Sequence, residues 1–309
     1  MAATEKKCVM NRGSPVSHPG KVIRFADVPS PGVPEGIAVS GDGQIAVGTF
    51  YHEGPSHIFV FDAEGKVLRD VTIRDKVPSP LLGVIWKGND IYAADFGNGR
   101  ILLITPDDRV TVFAELPQLT QMTPGPAEQP PGPNGFALDR VGNLYVSDSF
   151  QGVVWKIAAA GQVSVWKRDV ALISTRELPF GANGITFTPE GNALLVANSG
   201  EGTIARIAVS EDGSAGAVSI FADDITAPDG IAFGPDGNLW VLSPAAEDYA
   251  VAVFSPTGER LTSVSTEGFN GPTSIDFLGD TLLAVNLGYF TQVKDYYIAA
   301  LPIEAVVRN

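Results

Sequence analysis

The sequence has a single cysteine, Cys8, in 309 residues, so it can build neither an internal disulfide nor a thiolate metal cluster. Histidine is almost as scarce: His18, His52 and His57 are the only three, and their spacing suggests no catalytic triad. Long apolar runs are also missing. Stretches such as 81–86 (LLGVIW) fall far short of the roughly 18 residues that cross a bilayer. The first twenty residues carry no apolar segment of the secretory kind, so the expected compartment is the cytoplasm. Basic side chains are outnumbered 21 to 35, for a net charge of −14, which argues against a phosphate-binding surface and hence against nucleic acid. No G-x-S-x-G elbow, Walker loop or dinucleotide fingerprint is present.

What the chain does have is glycine, 34 residues, a 44% hydrophobic content sufficient for a large core, and a repeat. Six segments share a small or polar residue, usually glycine, an alternating apolar run, a tight-turn dipeptide and a second alternating run. They begin PEGIAV at Pro34, LLGVIW at Leu81, PNGFAL at Pro133, ANGITF at Ala182, PDGIAF at Pro228 and PTSIDF at Pro272. Aligned on the residue before the first Gly (Ser in the last), they give Glu35, Leu82, Asn134, Asn183, Asp229 and Thr273, at intervals of 47, 52, 49, 46 and 44 residues. Alternation of period two joined by Asp-Gly or Gly-Asn turns describes hairpins. Two further strands follow in most units, and four strands per 40–50 residues describe a propeller blade.

The predicted fold is therefore all-β: a six-bladed β-propeller with four-stranded antiparallel blades. Residues 21–26 (KVIRFA) read as a strand that closes the ring as the outer member of blade six. Residues 1–20 read as a flexible tail, leaving 21–309 as a single propeller domain.

In a propeller the innermost strands border the axial channel, so the six aligned residues form one ring at one mouth. Four of them, Glu35, Asn134, Asn183 and Asp229, offer oxygens. Asn or Asp before Gly also serves ordinary tight turns, but Glu has no such preference. Two carboxylates and two amides converging in a channel need compensation, which a hard divalent cation supplies. Calcium is the first choice, with magnesium, manganese and zinc as alternatives. The loops after each second strand share this mouth and carry Phe50, Tyr51, His52, Phe96, Phe150, Tyr249 and Tyr289, joined by Phe180 from the long 169–182 connection. That aromatic content points to a hydrophobic small-molecule substrate. The proline-rich connection 117–133 reads as a lid. Asp148 and Asn198, which end the second strands of blades three and four, are candidates to orient ring residues.

These motifs, P-E-G, P-N-G, A-N-G and P-D-G in blades one, three, four and five, together with Pro272-Thr273-Ser274 in the last, resemble the SMP-30/gluconolactonase family of six-bladed propellers. The resemblance implies a metal-dependent hydrolase of lactones or related esters. It assigns Glu35, Asn183 and Asp229 as metal ligands and Asn134 as the residue facing water or substrate, with Asp229 the candidate proton acceptor. His52 is an additional candidate acid–base group. The competing classes are a metal-free condensing propeller of the strictosidine-synthase type and a non-catalytic interaction propeller.

Overall fold

The computed structural model describes residues 16–17, 21–31, 33–120, 122, 130–288, 291 and 293–307. Six antiparallel sheets surround one axis, and each alternating segment of the sequence supplies the inner half of one of them. The innermost strands are Pro34–Val39, Leu81–Lys87, Pro133–Leu138, Ala182–Phe187, Ile231–Phe233 and Pro272–Leu278. In blades one to five the chain then runs outward through three more strands in sequence order. Among the described residues blade six has three strands from its own repeat, and Ile23–Asp27 supplies the fourth by pairing antiparallel with Tyr297–Pro302, as the sequence predicts. Val16–Ser17 adds a short parallel strand outside Arg260–Val264 of blade five. Among the described residues, no helix is long and apolar enough to cross a membrane.

Strand alternation places apolar side chains on both faces of each blade, so the core is six wedges between neighbouring blades rather than one central mass. Ile58, Val60, Leu81 and Ile91 fill the first wedge, and Ile37, Val47, Leu283 and Ile298 fill the one that closes the ring. The hairpin glycines Gly43, Gly142, Gly191 and Gly237 all have positive φ, from 74° to 85°, the conformation the turn dipeptides imply.

The glycine after each ring residue serves a different purpose. Gly36 and Gly184 lie inside strands with ordinary φ, and a Cβ on either would stand 2.3 Å from a backbone carbonyl of the next blade: that of Leu82 for Gly36 and of Asp229 for Gly184. Gly83, Gly135 and Gly230 repeat the contact, so absence of a side chain lets successive inner strands approach to within van der Waals contact around the axis. The strand pairing also shifts register at this point in blades one, two, three, four and six. Such a bulge re-aims the side chain at the irregularity. Blade six has Ser274 instead of glycine. There the seam is bonded: Thr273 Oγ1 donates to the Glu35 carbonyl (3.1 Å), and the Ile37 and Val39 N–H groups donate to Ser274 Oγ and Asp276 Oδ2.

Candidate active site

Glu35, Leu82, Asn134, Asn183, Asp229 and Thr273 all line one axial cavity of about 470 Å³. The ring expected from the repeat thus exists as a cavity wall. One step outward lie the residues that follow each second strand. Phe50, Ser199, Pro244 and Leu287 line the cavity at this level, and Leu178, Pro179 and Phe180 of the 169–182 connection complete the wall with Ala227 and His52. A larger crevice of about 590 Å³ borders blades four and five, with Arg176, Glu201, Asp223 and Asp224 in its walls. There the Arg176 guanidinium pairs with Glu201 at 3.0 Å, whereas the axial cavity gathers carboxylates with no such partner among the described residues, so chemistry rather than volume selects the axial cavity.

The electrostatics of the ring are uncompensated. Glu35 is 6% exposed, and burial, then repulsion from Asp229, pushes its carboxyl well above the usual range. Burial raises Asp229 to about 8, opposed only by an amide N–H from Asn183. No basic side chain enters either balance. Among the described residues no three His, Cys, Asp or Glu side chains cluster. A cation here would therefore take two carboxylates and complete its shell with amide oxygens, a donor set suited to a hard ion such as calcium.

The amides are oriented for that role. Asn183 Nδ2 donates to Ser199 Oγ (3.0 Å), and Ser199 Oγ donates to the Pro228 carbonyl (2.7 Å). Blade three repeats the device: Asn134 Nδ2 donates to Ser149 Oγ (3.1 Å), which donates to the Ala182 carbonyl (3.1 Å). A hydroxyl has one hydrogen; once a carbonyl takes it, only its lone pairs face the amide, and these accept N–H and reject the amide oxygen. Both amide oxygens are thereby turned from the serines, and among the described residues no donor reaches either. Ser199→Ala removes this constraint while leaving the ring donors in place. Calorimetric titration should show calcium affinity falling about tenfold or more, the usual cost of losing an outer positioning contact. Unchanged affinity would mean that Asn183 is oriented by something else.

Sequence reading missed these serines by one residue. Asp148 and Asn198 do not hydrogen-bond to the ring amides, because their polar atoms are spent on other groups, chiefly the backbone of the mouth loops. Asp148 accepts from the N–H groups of Gly132, Phe150 and Gln151 and from Trp155 Nε1 (3.1 Å). Asn198 donates to the carbonyls of Ala171 and Ile173, both at 2.9 Å, and accepts from the N–H of Glu201. Both are fully buried and fix mouth loops, as does Asn286 in blade six through the N–H of Asn270. Ser149 and Ser199 follow them and were legible only as a recurrent Ser after the strand end.

The aromatic residues divide. Phe50, His52 and Phe180 line the cavity, with His52 edge-on to Phe50 at 4.5 Å. Phe150 and Phe96 stand behind Phe180, at centroid distances of 5.5 and 6.0 Å, and brace it. Tyr51 lies over Gly54 of its own loop rather than on the cavity wall. Tyr249 packs between blades: it is 6% exposed, its hydroxyl accepts the Thr226 N–H, and the Arg260 guanidinium covers its ring at 4.5 Å. Tyr289, and residues 121 and 123–129 of the expected lid, lie outside the described residues.

Comparison with known proteins agrees with this architecture. The family model for the SMP-30/Gluconolactonase/LRE-like region matches residues 128–285, just over half the chain. Among curated proteins none matches at a significant level. Several solved structures superpose over most of the chain. A gluconolactonase from Xanthomonas campestris has a TM-score of 0.65 at 16% identity, covering 91% of this chain and 89% of that one. The calcium-binding protein regucalcin from Agrobacterium tumefaciens gives 0.65 at 16%, covering 90% and 94%. Virginiamycin B lyase from Staphylococcus aureus gives 0.62 at 14%, covering 91% and 99%. At these identities the likeness is one of fold.

Proposed function

The chain belongs to the SMP-30/gluconolactonase/LRE-like family, and on that premise we propose that it is a cation-dependent hydrolase of lactones or related carboxylic esters. The observation that carries this reading is the convergence of Glu35, Asn134, Asn183 and Asp229, from four blades, on one cavity with two carboxylates and, among the described residues, no basic partner. Neither a metal-free condensation nor a passive binding surface calls for two facing carboxylates backed by serine-oriented amides.

Glu35, Asn183 and Asp229 would hold the cation, and the chemistry of these donors fits a hard divalent ion. Such an ion, when bound, supplies the Lewis acidity that polarises a carbonyl and acidifies a water. The chain's own groups do the remainder. Asn134, whose amide oxygen is left free by Ser149, accepts a hydrogen bond from the attacking water and aims it. Asp229 takes the water's proton as the water oxygen bonds to the acyl carbon, then returns it to the ring oxygen as the acyl carbon–oxygen bond breaks, leaving a hydroxy acid. Protein stripped with a chelator should hydrolyse no lactone until calcium, magnesium or manganese is restored, and Asp229→Asn should stay inactive in saturating metal. Turnover indifferent to the chelator, or full turnover by Asp229→Asn with metal bound, would end the proposal.

The same carboxylates impose a pH dependence. Asp229, raised from 3.8 to about 8, keeps its proton in the folded, cation-free protein across neutral pH. The cation must displace that proton, so its affinity should rise by about tenfold per pH unit as pH approaches about 8 and then level off. Calorimetry at pH values on either side, in buffers of different ionisation enthalpy, should show at least one proton released per cation below pH 8. A flat affinity from about pH 6 to 8 would contradict the arrangement.

A further inference from the structure

We propose that this site takes an uncharged, largely apolar lactone, alkyl- or aryl-substituted, rather than a polyhydroxylated one, and that Phe50, Leu82, Phe180 and Leu287 set that preference; this rests on the hydrolase reading above. The argument is an inventory of polar atoms. Among the described residues, seven that line the cavity are polar: Glu35, His52, Asn134, Asn183, Ser199, Asp229 and Thr273. Most are already engaged. The Ser199 hydroxyl proton goes to the Pro228 carbonyl and its lone pair to Asn183, and Thr273 Oγ1 donates to the Glu35 carbonyl. Asn134 donates to Ser149, while Glu35, Asn183 and Asp229 are the cation donors of the proposed reaction.

With the Asn134 oxygen taken by the attacking water, what remains for a substrate among the described side chains is the second N–H of that amide, the lone pairs of Thr273 Oγ1 and the His52 imidazole. Among the described residues no lysine or arginine lines the cavity. A sugar lactone brings several hydroxyls, and each one buried without a partner costs about 1–3 kcal/mol. An apolar lactone has a single demanding group, its ester, which is the part that reacts.

The walls agree with the inventory. At Leu82 the ring carries a hydrocarbon where four of the other five positions carry carboxylate or amide, so apolar surface reaches the level of the reacting group. Phe180 is held from behind by Phe96 and Phe150 and presents a braced aromatic face rather than an adaptable loop. Phe50 and Leu287 extend that surface at the level above the ring. A cavity of about 470 Å³ accommodates a small ring with its substituent.

The test has two arms. Calorimetry on chelator-stripped protein with δ-lactones of increasing alkyl chain length reads the cavity without turnover. Affinity should rise about fourfold per added methylene until the wall is filled, and Phe180→Ala, checked for an unchanged melting temperature, should lose about tenfold for the longer chains. Steady-state kinetics on calcium-loaded protein should give kcat/KM at least a hundredfold higher for an alkyl lactone or a benzo-fused lactone than for glucono-δ-lactone. Absence of any chain-length dependence in binding, or equal or better turnover of glucono-δ-lactone, would overturn the proposal and leave the hydrolase reading standing. Chain-length-dependent binding without hydrolysis of any lactone would support the cavity's preference and overturn the hydrolase reading instead.

Discussion

Asp229→Asn should make the protein more stable than wild type in a chelator and less stable than wild type in saturating calcium. The two signs have one cause. In the cation-free protein the Asp229 carboxyl is buried against Glu35 with no basic partner among the described residues and is raised to about 8. A raised carboxyl contributes stability that is complete below the unfolded value, near 4, and is lost as pH rises through the folded value. At pH 8 wild type carries most of that loss, and the neutral amide carries none. Allowing for the cavity's partial access to solvent, the variant should gain roughly 3 kcal/mol at pH 8 and have a flatter stability–pH curve. Calcium reverses the order, because a ligand at a thousand times its Kd adds about 4 kcal/mol to a protein that binds it and nothing to one that does not. Denaturant unfolding at pH 8, with chelator and with calcium, measures both. A variant less stable than wild type in chelator would show that Asp229 has a compensating partner.

Gly184→Ala should cost far more than the same change at Gly237, although both glycines follow an acidic or amide residue in the sequence. At Gly237 nothing lies within 4 Å of the added Cβ, and the penalty is that of a left-handed backbone, about 1 kcal/mol. At Gly184 the Cβ meets the Asp229 carbonyl at 2.3 Å, the Ile231 nitrogen at 2.9 Å and Gly230 Cα at 3.0 Å, all backbone atoms with no rotamer to yield. Blades four and five must separate, at a cost of about 3 kcal/mol or more. Because Asp229 moves with its carbonyl, calcium affinity should fall as well, which no effect on a surface turn would produce. Equal losses at the two positions, with calcium binding intact, would mean that the inner strands are not in contact as described.

These two glycines show how much the sequence discloses and why it stops where it does. The propeller is legible because each blade repeats the same turn chemistry, and the positive φ of Gly142 and Gly191 is what their dipeptides imply. Ring closure by Ile23–Asp27 is legible because blade six, among the described residues, has three strands from its own repeat. The glycines after Glu35 and Asn183 read only as the small residues that open each repeat, yet they answer to a carbonyl on the neighbouring blade, and no local pattern encodes that contact. Likewise Asp148 and Asn198 look like natural partners for Asn134 and Asn183, whereas they bond mouth-loop backbone and leave the role to Ser149 and Ser199. Tyr249 looks like a cavity residue from its loop position alone; its hydroxyl and the overlying Arg260 belong to the packing between blades.

The claim beneath these expectations is that side chains from separate blades share one cation. A crystal structure grown in calcium, with anomalous differences recorded, tests it most directly. One peak should lie on the axis about 2.3–2.6 Å from oxygens of Glu35, Asn183 and Asp229. A cavity filled only by water in that crystal, or a peak bound elsewhere on the molecule, would contradict it.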